Sequence, residues 1–245
     1  MLERFLTAGQ YQGVAVDLRG VATVLLPGTG SDDDYVRRAF SGPLQTVGAL
    51  LVAPPPRPDR LIDGYLSALD DAAREGPIAV GGVSIGAAVA SAWALAHPAH
   101  TIAVLAALPA WAGAPGSAPA ALAARQSASQ LRADGLAATT GQMRASSPPW
   151  LADELARSWR AQWPQLPDAM EEAAAYVAPS CADLTGLAAP LAVAAAVDDP
   201  IHPLQVAVDW VDAAPRAALR AVTLDQMGAD TSALGAACLA ALTDL

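Results

Sequence analysis

The 245-residue chain is 53% hydrophobic and 16% charged, which is the composition of a globular protein able to bury one large core. Its formal net charge of −10 argues against nucleic acid or an anionic membrane surface as a partner, because both repel an acidic protein. No uncharged apolar run reads as a spanning helix and no secretory signal pattern opens the chain, so we expect a cytoplasmic protein without a membrane span.

Short apolar runs bounded by Gly or Pro alternate with helical stretches, a pattern typical of a parallel sheet covered by helices on both faces. The predicted core strands are residues 21–26, 48–52, 78–83, 102–108, 191–197 and 219–224, with residues 13–18 as an N-terminal edge strand. Apolar spacing predicts helices over residues 59–74, 87–97 and 231–245. The sequence therefore predicts an α/β fold.

The strand–helix alternation stops between about residues 111 and 180, where amphipathic segments at 151–163 and 168–176 predict helices instead. We expect an α/β core of residues 1–110 and 181–245, with residues 111–180 inserted as a helical cap. The insertion holds four of the six tryptophans, Trp111, Trp150, Trp159 and Trp163. Aromatic side chains in such a segment either line an apolar pocket or form its own small core, and both interpretations stay open.

A candidate nucleophile lies where the strand predicted at residues 78–83 meets the following helix. The sequence there contains Gly82-Val83-Ser84-Ile85-Gly86. A serine on a sharp strand-to-helix turn projects its Oγ above the sheet edge, and flanking glycines let strand and helix approach each other. The N–H of Ile85, at the start of the helix, would then face a developing oxyanion.

A second glycine-containing turn follows the strand at residues 21–26 and reads Pro27-Gly28-Thr29-Gly30. The two turns together resemble the α/β-hydrolase superfamily of esterase- and lipase-like enzymes. The resemblance implies an α/β-hydrolase fold with a helical cap, and it implies that Thr29 donates a second oxyanion N–H. Many members carry a histidine where this chain has Pro27. A phosphate-binding interpretation is weaker, because neither nucleotide-binding glycine pattern is present.

The acid of a catalytic triad is expected in the loop Asp198-Asp199-Pro200-Ile201-His202-Pro203. This loop is similar to the acid-bearing loop of the superfamily, and the resemblance assigns the acid to Asp199. The order of Ser84 before Asp199 in the chain agrees with the superfamily. The alternative is an ordinary surface turn, since Asp and Pro favour turns.

The histidine that the superfamily places after its last strand is missing, because residues 225–230 contain none. His97 and His100 precede a strand and are expected at the opposite end of the sheet from Ser84. His202 lies three residues after Asp199 on the same rim as Ser84; a solvated loop histidine is the alternative. Three outcomes remain: His202 acts as a displaced base, an aspartate at 225 or 230 gives weak activation, or the site binds a ligand without turnover.

The leading hypothesis is an atypical serine hydrolase that cleaves an ester or thioester of a small or moderately apolar acyl group through a Ser84 acyl-enzyme. The alternative is a catalytically silent protein of the same fold that binds an apolar small molecule or a protein partner. A homodimer formed through an edge strand or the cap is compatible with both.

No cofactor or metal is expected, since no histidine pair has ligand spacing. Residues 32–34, three consecutive aspartates, are expected to cap a helix that begins near Tyr35 rather than to hold a cation. Cys181 and Cys238 are expected to be reduced, buried thiols.

Overall fold

A parallel sheet of six strands lies at the centre of the computed structural model, which describes residues 16–245. Its strands are β1 (Ala22–Leu26), β2 (Leu50–Val52), β3 (Ile78–Val83), β4 (Thr101–Ala107), β5 (Leu191–Ala196) and β6 (Ala217–Val222). They lie in the order β2-β1-β3-β4-β5-β6, and every neighbouring pair is parallel. The predicted core strands are confirmed, although β6 lies two residues earlier than expected.

The predicted edge strand at residues 13–18 is not confirmed. Residues 13–15 lie outside the described part of the chain, and residues 16–18 have no strand structure.

Helices connect the strands, and each of the predicted helices is present with its ends within two residues of the prediction. They are α1 (Asp33–Thr46), α2 (Leu61–Ala73), α3 (Ile85–Ala96), α4 (Pro119–Ser146), α5 (Pro149–Gln162), α6 (Leu166–Ala175), α7 (Cys181–Leu184), α8 (Leu204–Ala213), α9 (Leu224–Ala229) and α10 (Ala233–Thr243). Asp32 caps α1 by accepting the Tyr35 N–H at 3.1 Å, as the run of aspartates predicted.

Helix α4 was not predicted. Its alanine-rich sequence has no clear apolar stripe, and it bends at Gly135, whose φ of 78° lies outside helical geometry.

The sheet is covered on both faces, because successive strand residues point to opposite sides. Val80, Val104 and Val193 are buried on the face that carries α2, α3 and α8. Their neighbours Ala79, Leu105 and Ala192 are buried on the opposite face, against α1 and α10. The predicted two-sided architecture is confirmed, and it buries all six residues of both β3 and β5.

Helices α4, α5 and α6 lie between β4 and β5, in the range that the sequence predicts to be an insertion. Helix α4 packs against both α5 and α6, and α6 also contacts α2 of the core. Ion pairs join α5 to the start of α1: Arg157 pairs with Asp32 and Asp34, and Arg38 pairs with Glu154. Among residues 16–245, no helix has the length and apolarity needed to cross a bilayer.

Candidate active site

Ser84 occupies the turn between β3 and α3 with φ 55° and ψ −114°, a conformation that costs a non-glycine residue about 1–3 kcal/mol. The flanking glycines explain how the turn is accommodated. A Cβ built on Gly82 would lie 2.4 Å from the carbonyl oxygen of Leu26, and one on Gly86 would lie 2.3 Å from the same oxygen. Both positions therefore require glycine, and β1 can approach the serine turn closely.

Three side chains form a continuous hydrogen-bonded chain at the carboxyl edge of the sheet. His202 Nε2 lies 2.9 Å from Ser84 Oγ, and His202 Nδ1 lies 2.7 Å from Asp199 Oδ2. An ionised carboxylate can only accept, so Nδ1 carries the proton and Nε2 accepts from the serine hydroxyl. The structure thus brings together the serine, the acid and the histidine named from the sequence.

The backbone of its own loop holds the Asp199 side chain in place. Its Oδ1 accepts the backbone N–H groups of Ile201 at 2.8 Å and of His202 at 3.3 Å. Burial acts to raise the pKa of Asp199, but the hydrogen bond and charge of His202, with these backbone N–H groups, hold the pKa below its ordinary value. The carboxylate therefore stays ionised beside the imidazole.

Residues 27–32, the glycine loop, run from β1 towards α1 beside Ser84. A Cβ on Gly28 would lie 3.5 Å from Ser84 Cβ. Thr29 and Ser84 both line the same cavity, and Ile85 opens α3 directly after the serine. Within residues 16–245, the backbone N–H groups of Thr29 and Ile85 have no hydrogen-bond acceptor.

A cavity of about 600 Å³ opens above Ser84, His202 and Asp199. Trp111, Trp150 and Trp159 line it, whereas Trp163 is 38% exposed and does not. Trp159 also packs in a small core with residues of α4 and α6. Trp159 therefore both lines the cavity and packs against α4 and α6.

The remaining candidate groups lie away from this chain of side chains. His97 ends α3, with its Nδ1 2.9 Å from the carbonyl of Trp93, and His100 directly precedes β4 at the opposite edge of the sheet. Asp225 and Asp230 are exposed, and neither lines the cavity. Asp230 instead accepts hydrogen bonds from the backbone and hydroxyl of Ser232.

Cys181 and Cys238 are both free thiols, but only Cys238 is buried. The expectation that both would be buried is wrong for Cys181, because it opens the short, surface-lying helix α7. Among the described residues, no three His, Cys, Asp or Glu side chains are grouped to hold a metal ion.

Several residues at the site carried no recognisable sequence signal. Leu108 ends β4 with φ 51° and lines the cavity. Arg157, Ser158 and Gln162 on α5 make polar contacts with the glycine loop. The spacing of Ser158 and Gln162, four residues apart, puts them on one face of a helix but does not show what that face touches.

No protein-family model matches the chain, and a search of curated proteins finds no match. Solved structures match most of its length. A thermophilic esterase from Thermogutta terrifontis is 18% identical with a TM-score of 0.63, covering 84% of this chain and 81% of that one. MenH from S. aureus is 14% identical with a TM-score of 0.67, covering 93% and 95%. An α/β hydrolase from Sphaerobacter thermophilus is 16% identical with a TM-score of 0.57, covering 89% and 92%.

The chain has the α/β-hydrolase fold. In this chain the glycine loop follows β1, Ser84 follows β3, and the Asp199–His202 loop follows β5. The carboxyl ends of these three strands lie at the same edge of the sheet. The strand order reverses at β1, the point of an open α/β sheet where ligands bind.

Proposed function

We propose that the protein is a serine hydrolase that cleaves an ester or thioester of a small or moderately apolar acyl group. The observation that supports this most directly is the chain Asp199–His202–Ser84, with spacings of 2.7 and 2.9 Å. A serine hydroxyl is a weak nucleophile until a positioned base takes its proton, and here the base is oriented by a buried carboxylate.

In the proposed reaction Ser84 Oγ attacks the acyl carbon while His202 Nε2 takes the serine proton. The carbonyl oxygen becomes an oxyanion that accepts hydrogen bonds from the N–H groups of Thr29 and Ile85. His202 then gives its proton to the departing alcohol or thiol, which leaves an acyl-enzyme. Water, deprotonated by His202, attacks this ester, and the acid departs as Ser84 regains its proton.

The cavity supports an apolar acyl group. Its volume of about 600 Å³ lies within the range of small-molecule sites, and indole, methionine and leucine side chains supply much of its wall. We further propose that residues 111–180, which contribute α4, α5 and α6 to that wall, act as a cap over the sheet edge.

The alternative, a silent binding protein, drew its support from the missing histidine after β6. His202 beside Ser84 weakens that argument, because a base stands within hydrogen-bond distance of the nucleophile. The strained serine conformation points the same way, since a pure binding protein has no need of it.

Labelling with a fluorophosphonate probe, read by intact mass, tests the proposal. We expect one phosphonyl adduct on the wild type and none on Ser84→Ala or His202→Ala. His97→Ala and His100→Ala are the matched controls and should label like the wild type. A wild type that stays unlabelled beside an active control hydrolase would overturn the proposal and favour ligand binding without turnover.

A further inference from the structure

Helix α5 touches the glycine loop, and its contacts are made by buried polar groups. Ser158 is 1% exposed and Gln162 is 5% exposed. Ser158 Oγ donates to the carbonyl of Gly30, and Gln162 Nε2 donates to the carbonyl of Ser31 at 2.9 Å. Two successive carbonyls of the loop are thus held by α5.

The contact of Ser158 reaches further, because a peptide group is planar and its C=O and N–H point in opposite directions. The carbonyl of Gly30 shares its peptide plane with the N–H of Ser31. That N–H donates to the carbonyl of Gly28 at 3.0 Å. The carbonyl of Gly28 in turn shares its plane with the N–H of Thr29, the group available to bind an oxyanion.

The hydroxyl of Ser158 is therefore the first donor in a chain of hydrogen bonds and peptide groups, the relay, that ends at the Thr29 N–H. Hydrogen bonds in such a chain polarise one another, so a bond at one end strengthens the donor at the other. Rotation of either intervening peptide plane would break a bond in the relay, and rotation of the Gly28–Thr29 plane would also change the direction of the Thr29 N–H.

Packing restrains the same loop at two of its glycines. A Cβ on Gly30 would lie 2.7 Å from Trp159 Nε1, so the indole packs directly on the loop. A Cβ on Gly28 would lie 3.5 Å from Ser84 Cβ. Arg157 adds a two-pronged ion pair to Asp32, at 2.6 and 2.9 Å, where the loop enters α1.

We infer that Ser158, assisted by Gln162, is a positioning residue that aligns the Thr29 N–H for oxyanion stabilisation. The inference rests on the proposed function for its catalytic consequence. It makes the insert between β4 and β5 a part of the catalytic machinery, since the donor on the core is oriented by a helix of the insert.

The first test does not depend on turnover. Amide exchange followed by NMR should show the Ser31 N–H exchanging about tenfold faster in Ser158→Ala than in the wild type, because its bond to Gly28 loses its support. Ser91→Ala is the matched control: Ser91 is also buried, and its hydroxyl donates to a carbonyl of its own helix, Ala87, at 2.8 Å. Unchanged Ser31 exchange in Ser158→Ala would overturn the relay.

The second test measures the catalytic consequence on p-nitrophenyl butyrate and with butaneboronic acid, which forms a tetrahedral adduct on Ser84. Ser158→Ala should lower kcat about tenfold with KM unchanged, and it should weaken boronic acid binding by a similar factor. Gln162→Leu should act in the same direction, and Ser91→Ala should leave both quantities unchanged. A rise in KM or a loss of thermal stability, with kcat unchanged, would indicate a merely structural role and overturn the inference.

Failure of the proposed function and failure of the inference about Ser158 give different results. A wild type without labelling or ester turnover contradicts the proposed function, while the Ser31 exchange rate still decides whether Ser158 holds the loop. A turning-over wild type whose Ser158→Ala variant keeps its kcat and boronic acid affinity contradicts the inference alone.

Discussion

His202 lies three residues after Asp199 in the loop that follows β5, and its Nδ1 is 2.7 Å from the Asp199 carboxylate. In the proposed mechanism one short loop therefore supplies both the acid and the base. The backbone of that loop also holds the acid, through the N–H groups of Ile201 and His202. A chain without a histidine after β6 can therefore still place one beside Ser84.

The first prediction concerns the proposed role of His202 as the base. His202→Ala should lower kcat on an activated ester at least about 10³-fold, because the serine loses its proton acceptor while the oxyanion donors remain. Initial rates with p-nitrophenyl butyrate check it. Asp225→Asn and Asp230→Asn are the controls and should keep wild-type rates, since both carboxylates are exposed and outside the cavity. Loss of activity in either control would indicate that a carboxylate after β6 acts as the base instead of His202.

The second prediction concerns acid stability. The pKa of Asp199 in the folded protein lies below its ordinary value of 3.8, so the unfolded chain binds this proton more readily. Its stabilising contribution is present above pH 3.8 and is lost as the pH falls through the lower, folded pKa. The stability difference between the wild type and Asp199→Asn should therefore shrink as the pH falls below about 4.

Urea unfolding from pH 7 down to pH 3 measures that difference. His97→Gln serves as a control that alters a titratable side chain far from Asp199, and it should leave the acid dependence of the wild type unchanged. A difference between wild type and Asp199→Asn that stays constant over this range would show that Asp199 has no lowered pKa.

Much of this site could be predicted from sequence because its parts are local. Ser84 lies between two glycines on a strand-to-helix turn, and Asp199 directly follows a buried strand. In a parallel sheet such positions meet at one edge, so their proximity follows from topology. The position of His202 near Ser84 depended on the path of one loop, which sequence left open.

The contacts of α5 could not be predicted, because they are long-range and polar. Ser158 meets Gly30 across 128 positions of the chain, and no pattern in a helix shows which distant carbonyl a buried hydroxyl will find. The helix α4 was missed for a different reason. Its alanines give a high helix propensity but no contrast between its faces.

The third prediction tests the close approach of β1 to the serine turn. Gly86→Ala puts a methyl group about where the carbonyl oxygen of Leu26 stands, so the free energy of unfolding should fall by about 1–3 kcal/mol or more. Gly141→Ala is the matched control, because Gly141 lies within α4 and a Cβ there meets nothing within 4 Å. It should stabilise the protein by about 0.5–1 kcal/mol. Urea denaturation of both variants checks the opposite signs, and a stable Gly86→Ala would refute the contact.

The fourth prediction separates the two thiols. Cys238 lies on the buried face of α10, and burial raises the pKa of its thiol to about 12. A thiol reagent needs an accessible thiolate, so the folded protein at pH 8 should react at Cys181 alone. Titration with a disulfide reagent should count one thiol in the native protein and two in urea. Rapid reaction of native Cys181→Ser would show that the core around Cys238 opens.

The fifth prediction concerns the charge of the acyl group. The cavity wall includes the carboxylates of Asp199 and Glu154 and the guanidinium of Arg157. Arg157 is already paired with Asp32 and Glu154, so a substrate carboxylate entering there would lose water without gaining a free cation in the described part of the wall. We expect kcat/KM for the mono-p-nitrophenyl ester of adipic acid to be at least about tenfold below that for p-nitrophenyl hexanoate.

The methyl ester of the same adipate is the control, because it has similar length without the charge. It should be cleaved about as well as the hexanoate, which would assign the discrimination to charge rather than to size. Equal kcat/KM for the charged and neutral adipates would mean that the far end of the acyl chain stays in solvent. The inner wall of Trp111, Trp150 and Trp159 would then enclose only the first carbons next to Ser84.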